Sequence, residues 1–211
     1  NISKFYYFDC SDLIGAKKNI SKAIRKFGIP QAFVNASYPV TGDWDKCSFN
    51  KIKESFFIEN LNAQLISYCW ISKLFADQMK KKKKSSIVLI SSIYGILAQD
   101  KNLYQGTKLS ENMIYPIIKG GVISHCRQMS SFYASYDLRV NCISPGGLEG
   151  KIKGIRDLQD KRFKKNYLNK VPLNRFCKTT DISEACLFLL DQKSSYITGQ
   201  NIVIDGGLSI I

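Results

Sequence analysis

Tyr115 and Lys119 stand four residues apart in a stretch with helical spacing, so their side chains share one face of a helix, a turn apart. A phenol beside an ammonium is a candidate acid or base, because the positive charge favours the phenolate and draws the tyrosine pKa down from about 10 toward neutrality. Asn112 or Glu111, with Pro116, marks the first turn of that helix. Ser92 closes an apolar run that reads as a neighbouring strand, where its hydroxyl could hydrogen-bond the reacting oxygen. A Tyr-x-x-x-Lys spacing arises often by chance, so its weight depends on the elements around it.

Those elements alternate. Phe5-Tyr6-Tyr7-Phe8, closed by Asp9-Cys10-Ser11-Asp12, predicts a buried strand followed by a helix cap, and a helix from about 13 to 27 ends at Gly28-Ile29-Pro30. Gln31 to Val34 predicts a second strand ending at Asn35. A long helix over about 50–79, a buried strand over 86–90, a long helix over about 112–136, a strand over 139–143, a helix over 180–190 with Asp181 as start signal and a strand over 201–204 before Gly206-Gly207 complete the pattern. Continuous apolar strands alternating with helices predict an α/β fold, a parallel sheet covered on both faces. In such sheets ligands bind outside the carboxyl ends of the strands. The ends here carry Asp9, Asn35-Ala36-Ser37, Ser91-Ser92 and Ser144-Pro145-Gly146.

The seven cysteines contain no Cys-x-x-Cys pair, and His125 is the single histidine, so neither a zinc site nor a disulfide framework is indicated and no metal is expected. Cysteines scattered in this way suit buried positions in a reducing compartment. The formal charge of +14 would suit a polyanionic partner, but lysines are spread along the chain and the one run, Lys80 to Lys84, reads as a solvated loop. Nucleic acid is therefore not an expected partner. No apolar run is long enough to span a membrane and no signal-peptide layout opens the chain, which makes a cytoplasmic, membrane-free protein the default. Residues 1–211 read as one domain, with no internal repeat or linker.

Taken jointly, these motifs resemble the short-chain dehydrogenase/reductase family. Asp9-Cys10-Ser11-Asp12 resembles its Asp-x-x-Asp after the third strand, Asn35-Ala36-Ser37 its Asn-Ala-Gly after the fourth, and Ile90-Ser91-Ser92 its strand-five serine motif. Tyr115 with Lys119 resembles its catalytic pair, and Arg139-Val140-Asn141, Ser144-Pro145-Gly146, Ser195 to Gln200 and Ile204-Asp205-Gly206-Gly207 resemble its later motifs in order. The resemblance implies a Rossmann-like doubly wound sheet and hydride transfer between NAD or NADP and a carbonyl or alcohol. It implies that Tyr115 donates or accepts the proton, that Lys119 lowers the Tyr115 pKa and holds the nicotinamide ribose, and that Ser92 orients the substrate oxygen. It makes Asn62 the best match to the asparagine that anchors a proton-relay water, with Asn60 nearby, and gives cofactor contacts to Asp9, Asn35, Ala36, Ser37, Tyr115, Lys119, Pro145, Gly146 and the Leu148 amide. Gly150 stands where the family often has Thr. The family's first two strands and Gly-rich turn have no counterpart, so the resemblance implies that about fifty to sixty residues are absent.

Between Ser92 and Tyr115 lie 22 residues, about ten more than the family's usual gap. The segment from Ile93-Tyr94-Gly95 to Tyr104-Gln105-Gly106-Thr107 resembles a subgroup associated with flagellin modification and surface polysaccharides, including nonulosonic acid routes. That implies a sugar or nucleotide-sugar substrate. The resemblance also implies a homodimer or homotetramer paired through the long helices 50–79 and 112–136, where Gly120, Gly121 and Ser124 would allow close approach. The competing class is a non-catalytic remnant or interaction protein that keeps part of the fold.

Overall fold

The computed structural model describes residues 4–148 and 160–211. Among these described residues four strands, β1 (Ala32–Asn35), β2 (Ser85–Ile90), β3 (Leu138–Pro145) and β4 (Asn201–Ile204), pair in chain order and all in parallel. Six helices accompany them: α1 (Leu13–Phe27), α2 (Glu54–Leu61), α3 (Ser67–Met79), α4 (Ile114–Tyr133), α5 (Lys161–Leu168) and α6 (Thr179–Leu190).

Side-chain alternation along the strands sorts the core into two layers. Ile87 and Leu89 of β2, with Leu138, Val140 and Cys142 of β3, pack against Tyr68, Ala76 and Met79 of α3 and Val122, Cys126 and Met129 of α4. Val88 and Ile143 point the other way, onto Cys186 and Leu189 of α6. The sheet is therefore wound on both faces, and strands buried on both sides explain why β2 and β3 read as unbroken apolar runs.

The Arg139-Val140-Asn141 motif is structural here. The Arg139 guanidinium, buried beneath the end of α6, donates to the carbonyls of Leu189, Ile197 and Asp191. Asn141 donates to the Ile197 carbonyl and accepts from the Gln200 amide, which fixes the approach to β4.

Three segments differ from expectation. Phe5 to Phe8 forms no strand: no described strand lies beside it to share a ladder, and a lone extended segment leaves its backbone groups to water. Phe8 and Cys10 instead pack against Ala16, Ile20 and Ile71, while Phe5 and Tyr7 are exposed. The helix expected over 50–79 is two helices joined by a π-helical turn over Asn62–Ile66. α5 has no counterpart among the expected elements. The Lys81 to Lys84 side chains are exposed between α3 and β2. Among the described residues no helix is long and apolar enough to cross a membrane.

Candidate active site

The pairing register brings the strand ends level: Asn35 lies opposite Leu89, Ile90 opposite Ile143, and Pro145 opposite Ile204. The segments leaving β1, β2 and β3 then surround the first turns of α4. A cavity of about 340 Å³ results, lined by Ala36, Ser37, Tyr38, Ser92, Tyr115, Lys119, Pro145, Gly146 and Leu148, among others.

Tyr115 is placed by the start of α4. The Asn112 carboxamide oxygen accepts from the amides of Ile114 and Tyr115, both at 3.0 Å, and its Nδ2 donates to the Trp44 carbonyl at 3.2 Å. Pro116 falls in the first turn, where its missing N–H costs nothing. Lys119, one turn on, is buried, and its Nζ donates to the Ile90 carbonyl at 3.3 Å. Its backbone carbonyl accepts from the Ser91 hydroxyl at 2.7 Å, which clamps α4 to the end of β2. Gly95 permits this approach: a Cβ there would stand 2.8 Å from the Lys119 carbonyl carbon. Ser92 is buried beside the phenol, its Oγ accepting from the Tyr94 amide at 3.2 Å.

Electrostatically the pair behaves differently from the isolated spacing. Burial pushes the Tyr115 phenol above its ordinary range, with the adjacent Ser92 hydroxyl acting in the opposite direction. The direction of the Tyr115 shift follows from burial, because desolvation disfavours the phenolate. The same burial lowers Lys119 to about 8. An ammonium has three donors, and this one meets a single hydrogen-bond acceptor among the described residues, the Ile90 carbonyl. The remaining donors lie at the cavity, beside the phenol, and suit the hydroxyls of a ribose.

The other expected residues distribute as follows. Asn35 is buried behind the cavity, its Nδ2 donating to the Tyr68 carbonyl and Ser72 Oγ and its Oδ1 accepting from Ser37. It shapes the Ala36-Ser37 turn from beneath. Gly146 packs against Asp205 and the Tyr167 hydroxyl, within 3.2 Å of a Cβ position, so a larger residue would displace that wall. Asp9 lies outside the cavity, exposed, with its carboxylate accepting from the Ser11 amide and hydroxyl. Asn62 is exposed and also outside the cavity, whereas Asn60 is fully buried, bonded to Thr41, Asp43 and the Phe56 carbonyl. Gly150 lies outside the described residues.

Sequence reasoning missed an aromatic collar. Tyr38, Trp44 and Tyr94 meet the Tyr115 ring edge-on at 6.4, 5.8 and 6.2 Å between centroids. The Lys119 ammonium lies 5.3 Å from the Tyr38 ring centre and 5.7 Å from that of Tyr115. Tyr38 directly follows Asn35-Ala36-Ser37, which was a usable signal. Trp44, distant in sequence, gave none.

Among the described residues no group of histidine, cysteine and carboxylate side chains is arranged to hold a metal ion. A parallel sheet wound on both faces, with a partly buried tyrosine and a buried lysine and serine converging at its carboxyl end, has the architecture of a nicotinamide-dependent oxidoreductase of the Rossmann-like class. A family model described as enoyl-(acyl carrier protein) reductase matches residues 3–209. The chain is 29% identical over 188 residues to the post-translational flagellin modification protein A of Campylobacter coli, covering 89% of this chain and 71% of that protein. It is 29% identical over 205 residues to a 3-oxoacyl-(acyl-carrier-protein) reductase of Thermotoga maritima, covering 97% and 76%. A solved short chain dehydrogenase from Leptospira borgpetersenii with bound NAD+ superposes with a TM-score of 0.79 at 28% identity, covering 98% of this chain and 75% of that one. The chain belongs to the short-chain dehydrogenase/reductase family, and is an oxidoreductase of that family.

Proposed function

We propose that this protein uses NAD or NADP to interconvert a carbonyl and an alcohol on a sugar or nucleotide-sugar, in the modification of a surface glycan or flagellin. The observation that carries the chemistry is the meeting of Tyr115, Lys119 and Ser92 at one cavity walled by the segments leaving β1 and β3. When bound, the nicotinamide ring supplies or takes the hydride. Ser92 holds the substrate oxygen. Tyr115, a phenol kept protonated by burial, gives its proton to that oxygen on reduction, and the Lys119 ammonium stabilises the phenolate left behind. Lys119 and Tyr115 hold the nicotinamide ribose, Ala36, Ser37, Pro145, Gly146 and the Leu148 amide form its surroundings, and Asp9 serves the adenine end. The NAD+ bound to the Leptospira relative supports the cofactor class. The flagellin-modification setting is supported by the Campylobacter relative, and the sugar substrate by the resemblance carried by the segment from Ile93 to Thr107.

Tyr115→Phe removes the transferable proton and keeps the ring in its collar. Steady-state turnover of a keto-sugar with NADH or NADPH should fall by a factor of about 100 or more, with the fold unchanged by circular dichroism. Near-normal turnover would remove Tyr115 from the reaction.

The reading includes self-association. α1, α3 and α4 frame a groove of about 570 Å³ lined by Leu13, Ile14, Leu65, Ile66, Trp70 and His125, with Ile14, Ile66 and Trp70 exposed. Pairing of two chains through this face would cover it.

A further inference from the structure

A second cavity lies behind the collar. Tyr94, whose amide bonds Ser92 and whose ring meets Tyr115, also lines a space of about 300 Å³ together with Leu97, Ala98, Asp100, Leu103 and Lys170. Leu208, the first residue of the short helical turn Leu208–Ile210, and the exposed Ile211 also line it. Tyr94 therefore touches both the Tyr115 ring and this partly open neighbouring space.

The chemistry of this space is apolar. Its charged groups, Asp100 and Lys170, form an ion pair with each other, so neither is left to recognise a phosphate or a carboxylate. Apart from the Tyr94 hydroxyl, the remaining side chains of the lining are aliphatic or aromatic carbon. A volume of about 300 Å³ stands at the lower limit for ligand pockets, room for a substituent more than for a whole ligand.

The wall is also held in place, although it is built from the long segment between Ser92 and Tyr115. The Asn166 amide of α5 donates to the carbonyls of Asn102, Leu103 and Gln105 at 3.4, 3.2 and 3.3 Å. Arg162 donates to the Gly106 carbonyl at 3.2 Å. Leu103 is buried with Tyr167, Val171 and Phe176, and the Tyr167 hydroxyl in turn accepts from the Gly147 amide at 2.5 Å, beside the catalytic cavity. The extra residues are thus a built partition tied to both α5 and the segment after β3.

We infer that this space is a second substrate subsite that takes a short acyl substituent of the molecule whose carbonyl or alcohol sits at Tyr115, with Tyr94 setting the distance between the two. The inference rests on Tyr115 being the reacting centre. The acyl group has two sources, an N-acylated amino sugar or an acyl thioester, and both place a short hydrocarbon on a polar body.

The test measures binding to the purified full chain without cofactor, by calorimetry, for two probe series: N-acetyl-, N-butanoyl- and N-octanoylglucosamine, and the corresponding S-acyl-N-acetylcysteamines. Burying a methylene strengthens binding about fourfold, so one series should gain at least about fivefold from acetyl to butanoyl and lose that gain at octanoyl. The series that responds identifies the source. Leu97→Trp, and independently Leu208→Phe, fill the space and should abolish the gain. Affinity that does not depend on chain length in either series of the wild-type chain overturns the subsite, as does a gain that survives both substitutions. Because the reading is binding alone, absent turnover in the Tyr115 assay would count against the reaction and not against the subsite.

Discussion

Burial gives Lys119 two pH dependences of opposite sense. Its folded pKa lies at about 8, below the ordinary value of 10.5, so below pH 8 the folded protein carries the cost of a desolvated cation. As pH rises from about 8 to 10.5 the folded state releases that proton while the unfolded state keeps it, and stability rises. Other groups titrate in this range, so the check is a difference: urea unfolding of wild type and Lys119→Met from pH 7 to 10.5 should show wild type gaining on the variant above pH 8. Catalysis runs the other way. The charge that stabilises the Tyr115 phenolate is lost above about 8, so kcat/KM for carbonyl reduction should fall through that pH. A profile flat to pH 10 would show that Lys119 acts without its charge. At this scale the types and spacing of Tyr115, Lys119 and Ser92 were legible, because one helical turn and one strand end place them. The direction of the tyrosine shift was not, since desolvation depends on Tyr38, Trp44 and Tyr94, which other elements bring in.

One hydroxyl joins the ends of β1 and β2 at the site. Tyr68 of α3 donates to the Asn35 carbonyl at 2.5 Å and accepts from the Ile90 amide at 2.7 Å, bridging the ends of β1 and β2 where the chain turns toward the cavity. Tyr68→Phe keeps the packing and strands both buried backbone groups. The expected loss is about 1–3 kcal/mol by urea denaturation, with weaker cofactor binding because both strand ends loosen; an unchanged midpoint would mean that water replaces the hydroxyl. Helical periodicity found α1, α4 and α6 within a few residues. It could not find the π turn at Asn62–Ile66, which inserts no unusual residue. That turn adds one residue to the helical repeat and changes which side chains face inward, so the choice between Asn60 and Asn62 was beyond the pattern: Asn60 is buried and Asn62 is exposed. Phe5 to Phe8 shows the converse failure. Its composition favours a strand, but a strand also needs a neighbour.

Across the whole molecule, the groove between α1, α3 and α4 presents Ile14, Ile66 and Trp70 together, with the Nε2 of His125 buried and lacking a hydrogen-bond partner. A second copy packed through this face would cover the apolar surface. Sedimentation at micromolar concentration should therefore show at least a dimer, and Trp70→Glu should weaken it tenfold or more by placing a charge at the contact. A wild-type monomer at that concentration would remove the interface. The small residues expected to permit this contact have another use: Gly121 packs against Leu65 and Gly120 lies against the Gly95 carbonyl, so both serve packing within the chain, and only Ser124 is exposed.

What the sequence determined by itself was the alternation of the four paired strands with α1, α4 and α6, the parallel sheet they form and the polar residues at its carboxyl end, because these follow from local periodicity and from the rule that parallel strands present their ends to a ligand. The tertiary structure decided the rest. It set the direction in which burial shifts Tyr115 and Lys119, turned the long segment after Ser92 into the wall of a second cavity, and separated Asn60 from Asn62. Each of these depends on desolvation or contact between residues far apart in sequence, and spacing along a chain carries no information about either.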